Sequence, residues 1–227
     1  MKIGILQTGH SPDEVRGDLG DYSDMFASIL GGHGFDFVTF NVVDGEFPDG
    51  PETADGWLIT GSRHGAYEDH PWIPKLEALI RAIRDAGKPL IGVCFGHQII
   101  AQALGGRVEK FSGGWAVGPT AYDFDGETLI LNAWHQDQVT ALPEGARVLA
   151  SNDFCANAAV AYGDTILTLQ AHPEYDARML SALITYRAPG VVPADQIAQA
   201  RDNLDTPLDA TRFADRMAAF LKKDRMR

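Results

Sequence analysis

Covalent chemistry in this chain points first to a cysteine. Pro89-Leu-Ile-Gly-Val-Cys-Phe-Gly-His-Gln98 sets Cys94 where an apolar run stops and a helical pattern begins. Leu90, Ile91 and Val93 read as a buried strand, and residues 98–104 as a helix closed by Gly105-Gly106. Gly92 and Gly96, two positions either side of the cysteine, are what a sharp strand-to-helix turn needs, because side chains there would meet the neighbouring chain. The dipole of the following helix favours thiolate over thiol, and the free amide of Phe95 can face a developing negative charge. Together these describe an activated nucleophile with half an oxyanion hole. The plainer reading is a buried strand-end cysteine beside a tight turn.

A thiolate nucleophile needs a proton carrier, and seven histidines are available. His172 follows the apolar stretch 165–170, so it should emerge at a strand end as Cys94 does. Pro173 pushes His172 into an extended conformation, in which residues two apart project to the same side. Glu174 can then reach one imidazole nitrogen and leave the other for Cys94. Each member gains a role: Cys94 attacks, His172 shuttles the proton, and Glu174 fixes the tautomer and stabilises the imidazolium. Taken singly, His172 could be a strand-end histidine capping a turn and Glu174 a solvated acid.

The elements that must position these groups read in order. Residues 2–7 form a first strand, 8–20 an acidic, glycine-containing loop, and 22–30 a helix. Strands follow at 35–40 and at 56–60, the latter ending on Gly61, and then an amphipathic helix at 73–86. This alternation implies parallel strands with helical crossovers, whose carboxyl ends bind ligands. After Gly106 short segments at 107–111, 117–124, 128–133, 138–142, 147–150, 158–162 and 165–170 indicate an antiparallel or mixed strand region. A helix at 177–186, a Pro/Gly break at 188–193 and two further helices complete the chain. The last helix opens with Thr206 as N-cap, Pro207 at N1 and Asp209 at N3, and carries Phe213, Met217, Phe220 and Leu221 on one face. The expected organisation is one α/β domain over 1–187, with a helical C-terminal extension over 188–227 packed on it.

Composition narrows the partners. A formal charge of −12 argues against nucleic acid and anionic membranes, and the 45% hydrophobic fraction suits a substantial core. Two cysteines make no disulfide framework, the N-terminus has no signal-peptide pattern, and no apolar run approaches membrane-spanning length. The reading is a soluble cytoplasmic protein without a cofactor. His64, Asp69 and His70 match no metal spacing and read as a solvated loop, and Cys155 as a small core residue.

Gly92-Val-Cys-Phe-Gly-His-Gln98, followed far downstream by His172-Pro-Glu174, resembles the class I (triad) glutamine amidotransferases, nearest their GMP-synthase-like stand-alone members. The resemblance covers most of residues 1–186. Leu58-Ile-Thr-Gly-Ser62 is similar to the family's oxyanion loop, Gly114-Trp-Ala-Val-Gly118 to a family turn, and Trp134-His-Gln-Asp-Gln-Val139 to its glutamine-cradling loop. It implies a flavodoxin-like fold with a central mainly parallel sheet. The implied reaction is attack of Cys94 on the glutamine side-chain amide, giving a γ-glutamyl thioester and ammonia, after which water frees glutamate. The implied oxyanion donors are the amides of Phe95 and of Ser62 or Gly61. Here the chain departs from the family, whose Gly-Gly-Pro is Gly61-Ser62-Arg63. Gln98 matches a glutamine-contacting position, though spacing alone allows a helix-surface residue. His135, Gln136 and Asp137 match the segment that holds the substrate's α-amino and α-carboxylate groups, and His135 also reads as a hydrogen-bonded loop residue.

The implied partner is glutamine or a γ-glutamyl compound. Residues 188–227 are too few for a synthase domain, so a separate acceptor subunit would take the ammonia, unless the enzyme is a hydrolase. A γ-glutamyl peptidase acting on peptides or conjugates keeps the same chemistry, and a non-catalytic regulatory module shares the same fold. A related elbow-cysteine hydrolase or chaperone-like family is disfavoured by Gln98 and by the His172-Pro-Glu174 pair. The sequence leaves homo-oligomer formation open.

Overall fold

The computed structural model describes residues 1–223, so the end of the expected extension, residues 224–227, lies outside the described residues. Strands β1 (Lys2–Leu6), β2 (Asp36–Phe40), β3 (Gly56–Ile59), β4 (Leu90–Val93), β9 (Ala146–Ala150), β10 (Ala159–Tyr162) and β11 (Ile166–Leu169) form a seven-stranded sheet. Its order is β2-β1-β3-β4-β11-β10-β9. The first five strands in that order are parallel, and β10 and β9 are added antiparallel. β3 and β4 are buried along their whole length, as strands covered on both faces must be. Among the described residues no helix is long and apolar enough to cross a membrane.

Helices flank the sheet. α2 (Tyr22–Ile29), α3 (Trp72–Asp85), α4 (Phe95–Ala103) and α5 (Ala177–Tyr186) stand close to their expected positions, although α4 starts directly after Cys94 rather than at Gln98. One core cluster joins Ile3, Ile5, Phe26, Leu58, Ile91 and Leu169 to Phe213, Met217 and Leu221 of the last helix, α7 (Ala210–Lys222). A second joins Trp57, Leu76, Ile80, Ile83, Phe95 and Ile99. β6 (Ala116–Phe124) and β7 (Glu127–His135) form an antiparallel hairpin, and β5 (Arg107–Lys110) pairs with β8 (Asp137–Ala141). α6 (Ala194–Asp202) lies against the hairpin, so close that a Cβ on Gly118 would be 3.2 Å from that of Ala200.

Two local expectations are corrected. The stretch read as an acidic loop holds a short helix, α1 (Asp13–Leu19), which follows Pro12 with Asp13 and Glu14 in its first turn. It buries no residue, so no apolar period marked it, and Gly17 argued against it. At the other end, the N-cap of α7 is Asp209, not Thr206. The Asp209 amide donates to the Ile130 carbonyl at 2.8 Å, and its carboxylate accepts from the Ile130 amide at 2.9 Å. This fixes residue 209 to the hairpin edge and delays the helix.

The turn between β4 and α4 tolerates no side chain at its glycines. A Cβ on Gly92 would lie 2.5 Å from the Gly96 carbonyl oxygen, and one on Gly96 2.4 Å from that of Ile59. Both obstacles are backbone, so neither yields cheaply. Gly96→Ala is therefore expected to destabilise the fold by about 3 kcal/mol or more, read by chemical denaturation, whereas Gly17→Ala, with nothing within 4 Å of the new Cβ, should change it little.

Candidate active site

Three adjacent parallel strands deliver the candidate groups to one edge of the sheet. β3 leads to Gly61, β4 to Cys94, and β11, three residues past its end, to His172. Cys94 sits at φ 52° and ψ −104°, one of two non-glycine residues with positive φ among those described. Such a conformation stores strain, and the elbow that imposes it aims the side chain off the sheet edge. The sulfur is buried, 3.9 Å from the Trp134 carbonyl oxygen, and it also interacts with the His172 ring. Gly61 faces this group. A Cβ there would be 3.0 Å from His172 Cε1 and 3.7 Å from Cys94 Cβ, so glycine is what lets the β3 loop approach both.

His172 is held on three sides. Its amide donates to the Asn132 carbonyl at 2.8 Å, its ring stacks on Tyr175 with centroids 4.0 Å apart, and Nδ1 lies 2.7 Å from Glu174 Oε1. Pro173 thus stands between two residues whose side chains meet. Both side chains are almost wholly buried, and Glu174 leaves Nε2 for Cys94. Burial alone would pull the imidazole toward its neutral form. The charges of Glu174 and Cys94 and their hydrogen bonds outweigh that and raise its pKa to about 10.

The loop after β3 is pinned. The Thr60 carbonyl accepts from the Gly96 amide at 3.1 Å, the Gly61 carbonyl accepts from Thr60 Oγ1 at 3.1 Å, and the Thr8 hydroxyl, 3.0 Å from both carbonyl oxygens, shares its one proton between them. In a trans peptide the N–H points opposite the carbonyl, so the Ser62 amide is turned away from those hydroxyls. The Ser62 hydroxyl donates to the Thr8 carbonyl at 2.6 Å and accepts from the His64 amide at 3.2 Å. Ser62 thereby ties the loops after β1 and β3 together. The Phe95 amide, at the first turn of α4, is among the groups a helix leaves unpaired.

The remaining expected substrate contacts are turned inward. Gln98 is buried, not on a helix surface, and donates both Nε2 protons, to the Asp137 carbonyl at 2.8 Å and to Gln170 Oε1 at 3.1 Å. Only its Oε1 is left to meet a ligand. His135 is buried with Nδ1 3.3 Å from the same Asp137 carbonyl, and burial, with the His172 charge next, lowers its pKa to about 3. It is a neutral member of the loop's framework. Gln136 donates to the Phe111 carbonyl at 3.3 Å. The half-buried Asp137 carboxylate has a raised pKa, from burial first, opposed by its hydrogen bond from Tyr67. Residues that sequence reasoning passed over complete the setting: Thr8 and Thr60 pin the β3 loop, Tyr175 stacks on His172, and Gln170 receives Gln98. Tyr175, next to Glu174, and Thr60, inside Leu58–Ser62, stood close enough to marked motifs to be found.

A parallel sheet with a cysteine elbow and a buried histidine–glutamate pair at its carboxyl edge defines a class, and sequence comparison identifies it. The family model for class-I glutamine amidotransferase matches residues 42–185, and the chain belongs to that family. It is 38% identical over 194 residues to gamma-glutamyl peptidase 4 of Arabidopsis thaliana, covering 77% of this chain and 76% of that protein. It is 31% identical over 151 residues to a glutamine-hydrolyzing GMP synthase subunit of Halobacterium salinarum, covering 61% and 76%. The crystal structure of a glutamine amido transferase from Methylobacillus flagellatus shares the fold, with a TM-score of 0.73 over 97% of this chain and 92% of that one at 24% identity.

Proposed function

We propose that the protein hydrolyses γ-glutamyl amide bonds through a thioester on Cys94, and that γ-glutamyl peptides or conjugates are its substrates in preference to free glutamine. The observation that carries the chemistry is the buried 2.7 Å contact between His172 and Glu174 beside the Cys94 elbow. Support for the substrate class comes from the γ-glutamyl peptidase relatives, which match about three quarters of the chain at 38% and 36% identity. A glutaminase feeding ammonia to a separate synthase chain is the second reading, favoured by the similarity to the Halobacterium GMP synthase subunit.

Proton traffic follows from what holds the His172 proton. With Cys94 anionic, the imidazole is kept protonated, so it meets the substrate as the acid that protonates the leaving amine. Acylation removes the sulfur's charge, and with it part of what raised the imidazole pKa, while burial still favours the neutral ring. His172 is then more readily held in the neutral form that can accept a proton from water. Glu174 holds Nδ1 throughout and keeps Nε2 as the working nitrogen. The amides of Phe95 and Ser62 are the proposed oxyanion donors, with the Thr8 and Thr60 hydroxyls keeping the Gly61–Ser62 peptide in place.

Ser62→Ala is expected to lower kcat on the order of tenfold with KM nearly unchanged, because it loosens a donor needed mainly in the transition state. Steady-state kinetics on a γ-glutamyl dipeptide checks this; an unchanged kcat would remove Ser62 from the mechanism. The substrate assignment is tested by incubating wild-type protein and Cys94→Ala with glutamine and a panel of γ-glutamyl dipeptides, following ammonia, glutamate and the freed amine. The proposal expects higher kcat/KM on peptides. Higher kcat/KM on glutamine would support the second reading, and equal background from both proteins on every substrate would sink both.

A further inference from the structure

A second group of chemically capable side chains lies in the loop that continues from Ser62 to α3. The sequence spacing marked no metal site there, but a turn brings His64, Glu68 and His70 together. One carboxylate oxygen, Glu68 Oε2, lies 3.3 Å from His64 Nδ1 and 2.8 Å from His70 Nε2. The three potential ligand atoms are all within 4.8 Å of one another. Ligand atoms of a tetrahedral zinc site stand about 3.3 Å apart, given metal–nitrogen bonds of about 2.0–2.1 Å, so small rotations would suffice to close them on an ion.

The surroundings fix this geometry. The His64 amide is held by the Ser62 hydroxyl, the Glu68 amide donates to the Gly65 carbonyl at 3.1 Å, and the His70 amide donates to the Glu68 carbonyl at 3.0 Å. Gln102 of α4 anchors the turn by donating to the Ala66 carbonyl at 2.8 Å. His70 stacks on Trp72 with an interplanar angle of 14°, and the two imidazoles pack edge to face, 4.2 Å between centroids.

We propose that His64, Glu68 and His70 bind a divalent transition cation of the zinc class, with water completing the coordination sphere. Two imidazoles and one carboxylate suit zinc over magnesium or calcium, which take oxygen ligands. Bound metal would fasten the turn that leads out of the Gly61–Ser62 loop. The inference is independent of the reaction assigned to Cys94.

The test uses the full chain carrying Cys94→Ala, which removes the thiol that would itself hold zinc. Zn²⁺ is titrated by calorimetry and by competition with a chromophoric chelator. One equivalent is expected to bind, with Glu68→Gln or the pair His64→Ala and His70→Ala weakening it at least about tenfold. Trp72, stacked on His70, supplies a second readout, since quenching by Ni²⁺ should be lost with the same changes. Glu68→Gln preserves size and guards against misfolding, checked by thermal unfolding in chelator. Equal affinity and stoichiometry in the folded variants, or no binding at micromolar zinc before substitution, would overturn the site.

Discussion

Cys94→Ala is expected to lower turnover of any γ-glutamyl amide by at least about 10⁴-fold while leaving a folded protein. The elbow that makes the residue special does not depend on the sulfur. Its backbone is set by Gly92 and Gly96, by the Cys94 amide donating to the Leu169 carbonyl at 2.8 Å, and by the Gly96 amide bonding to Thr60. The sulfur's contact with the Trp134 carbonyl, at 3.9 Å, is too long to contribute much. Denaturation should therefore move by about 1 kcal/mol, the scale of a small buried group. Residual activity near wild type would mean that the elbow is architectural and that another group attacks.

Glu174→Gln carries the second large effect, a loss of about 10²- to 10⁴-fold in kcat, with a change in pH dependence that a packing defect would not produce. Burial is the largest single influence on His172 and favours the neutral ring; Glu174 and Cys94 together overcome it. Removing the carboxylate lets burial prevail, and the imidazole loses its proton at lower pH. The alkaline limb of kcat/KM, which marks loss of that proton in the free enzyme, should sit near pH 10 in the wild type and move toward neutrality in the variant. A glutamine at 174 can also present its NH₂ to Nδ1 and stabilise the wrong tautomer. An alkaline limb that stays in place would show that Glu174 does not govern the proton.

Much of this arrangement was legible in local sequence, for reasons that differ by element. The β4–Cys94–α4 turn has strict steric demands, and two glycines at fixed offsets meet them. His172-Pro-Glu174 is likewise local, because proline limits the backbone and two-residue spacing fixes the side. The alternation of strands and helices up to Gly106 carried the parallel sheet and thus the shared edge. What escaped depends on contacts between distant segments. Gln98 read as substrate-facing or solvated, yet it spans to residues 137 and 170 across chain distances no local pattern records. Thr8 looks unremarkable in its own stretch, Thr60 was marked only as part of Leu58–Ser62, and their pinning role arises only because β1 and β3 are neighbours. The start of α7 was displaced by a pairing between Asp209 and Ile130, 79 residues apart. His64, Glu68 and His70 lie close in sequence, but their convergence follows from a turn whose anchors are Ser62 and Gln102.

The central claim is a γ-glutamyl thioester on Cys94, and rapid acid quench of wild-type protein turning over a γ-glutamyl dipeptide, followed by peptide mass spectrometry, tests it most directly. A γ-glutamyl adduct should be found on the peptide containing Cys94, absent in Cys94→Ala and increased in Glu174→Gln if deacylation slows more than acylation. Active wild-type protein in which Cys94 stays unmodified at every quench time, with the adduct on another residue or on none, would contradict the assignment.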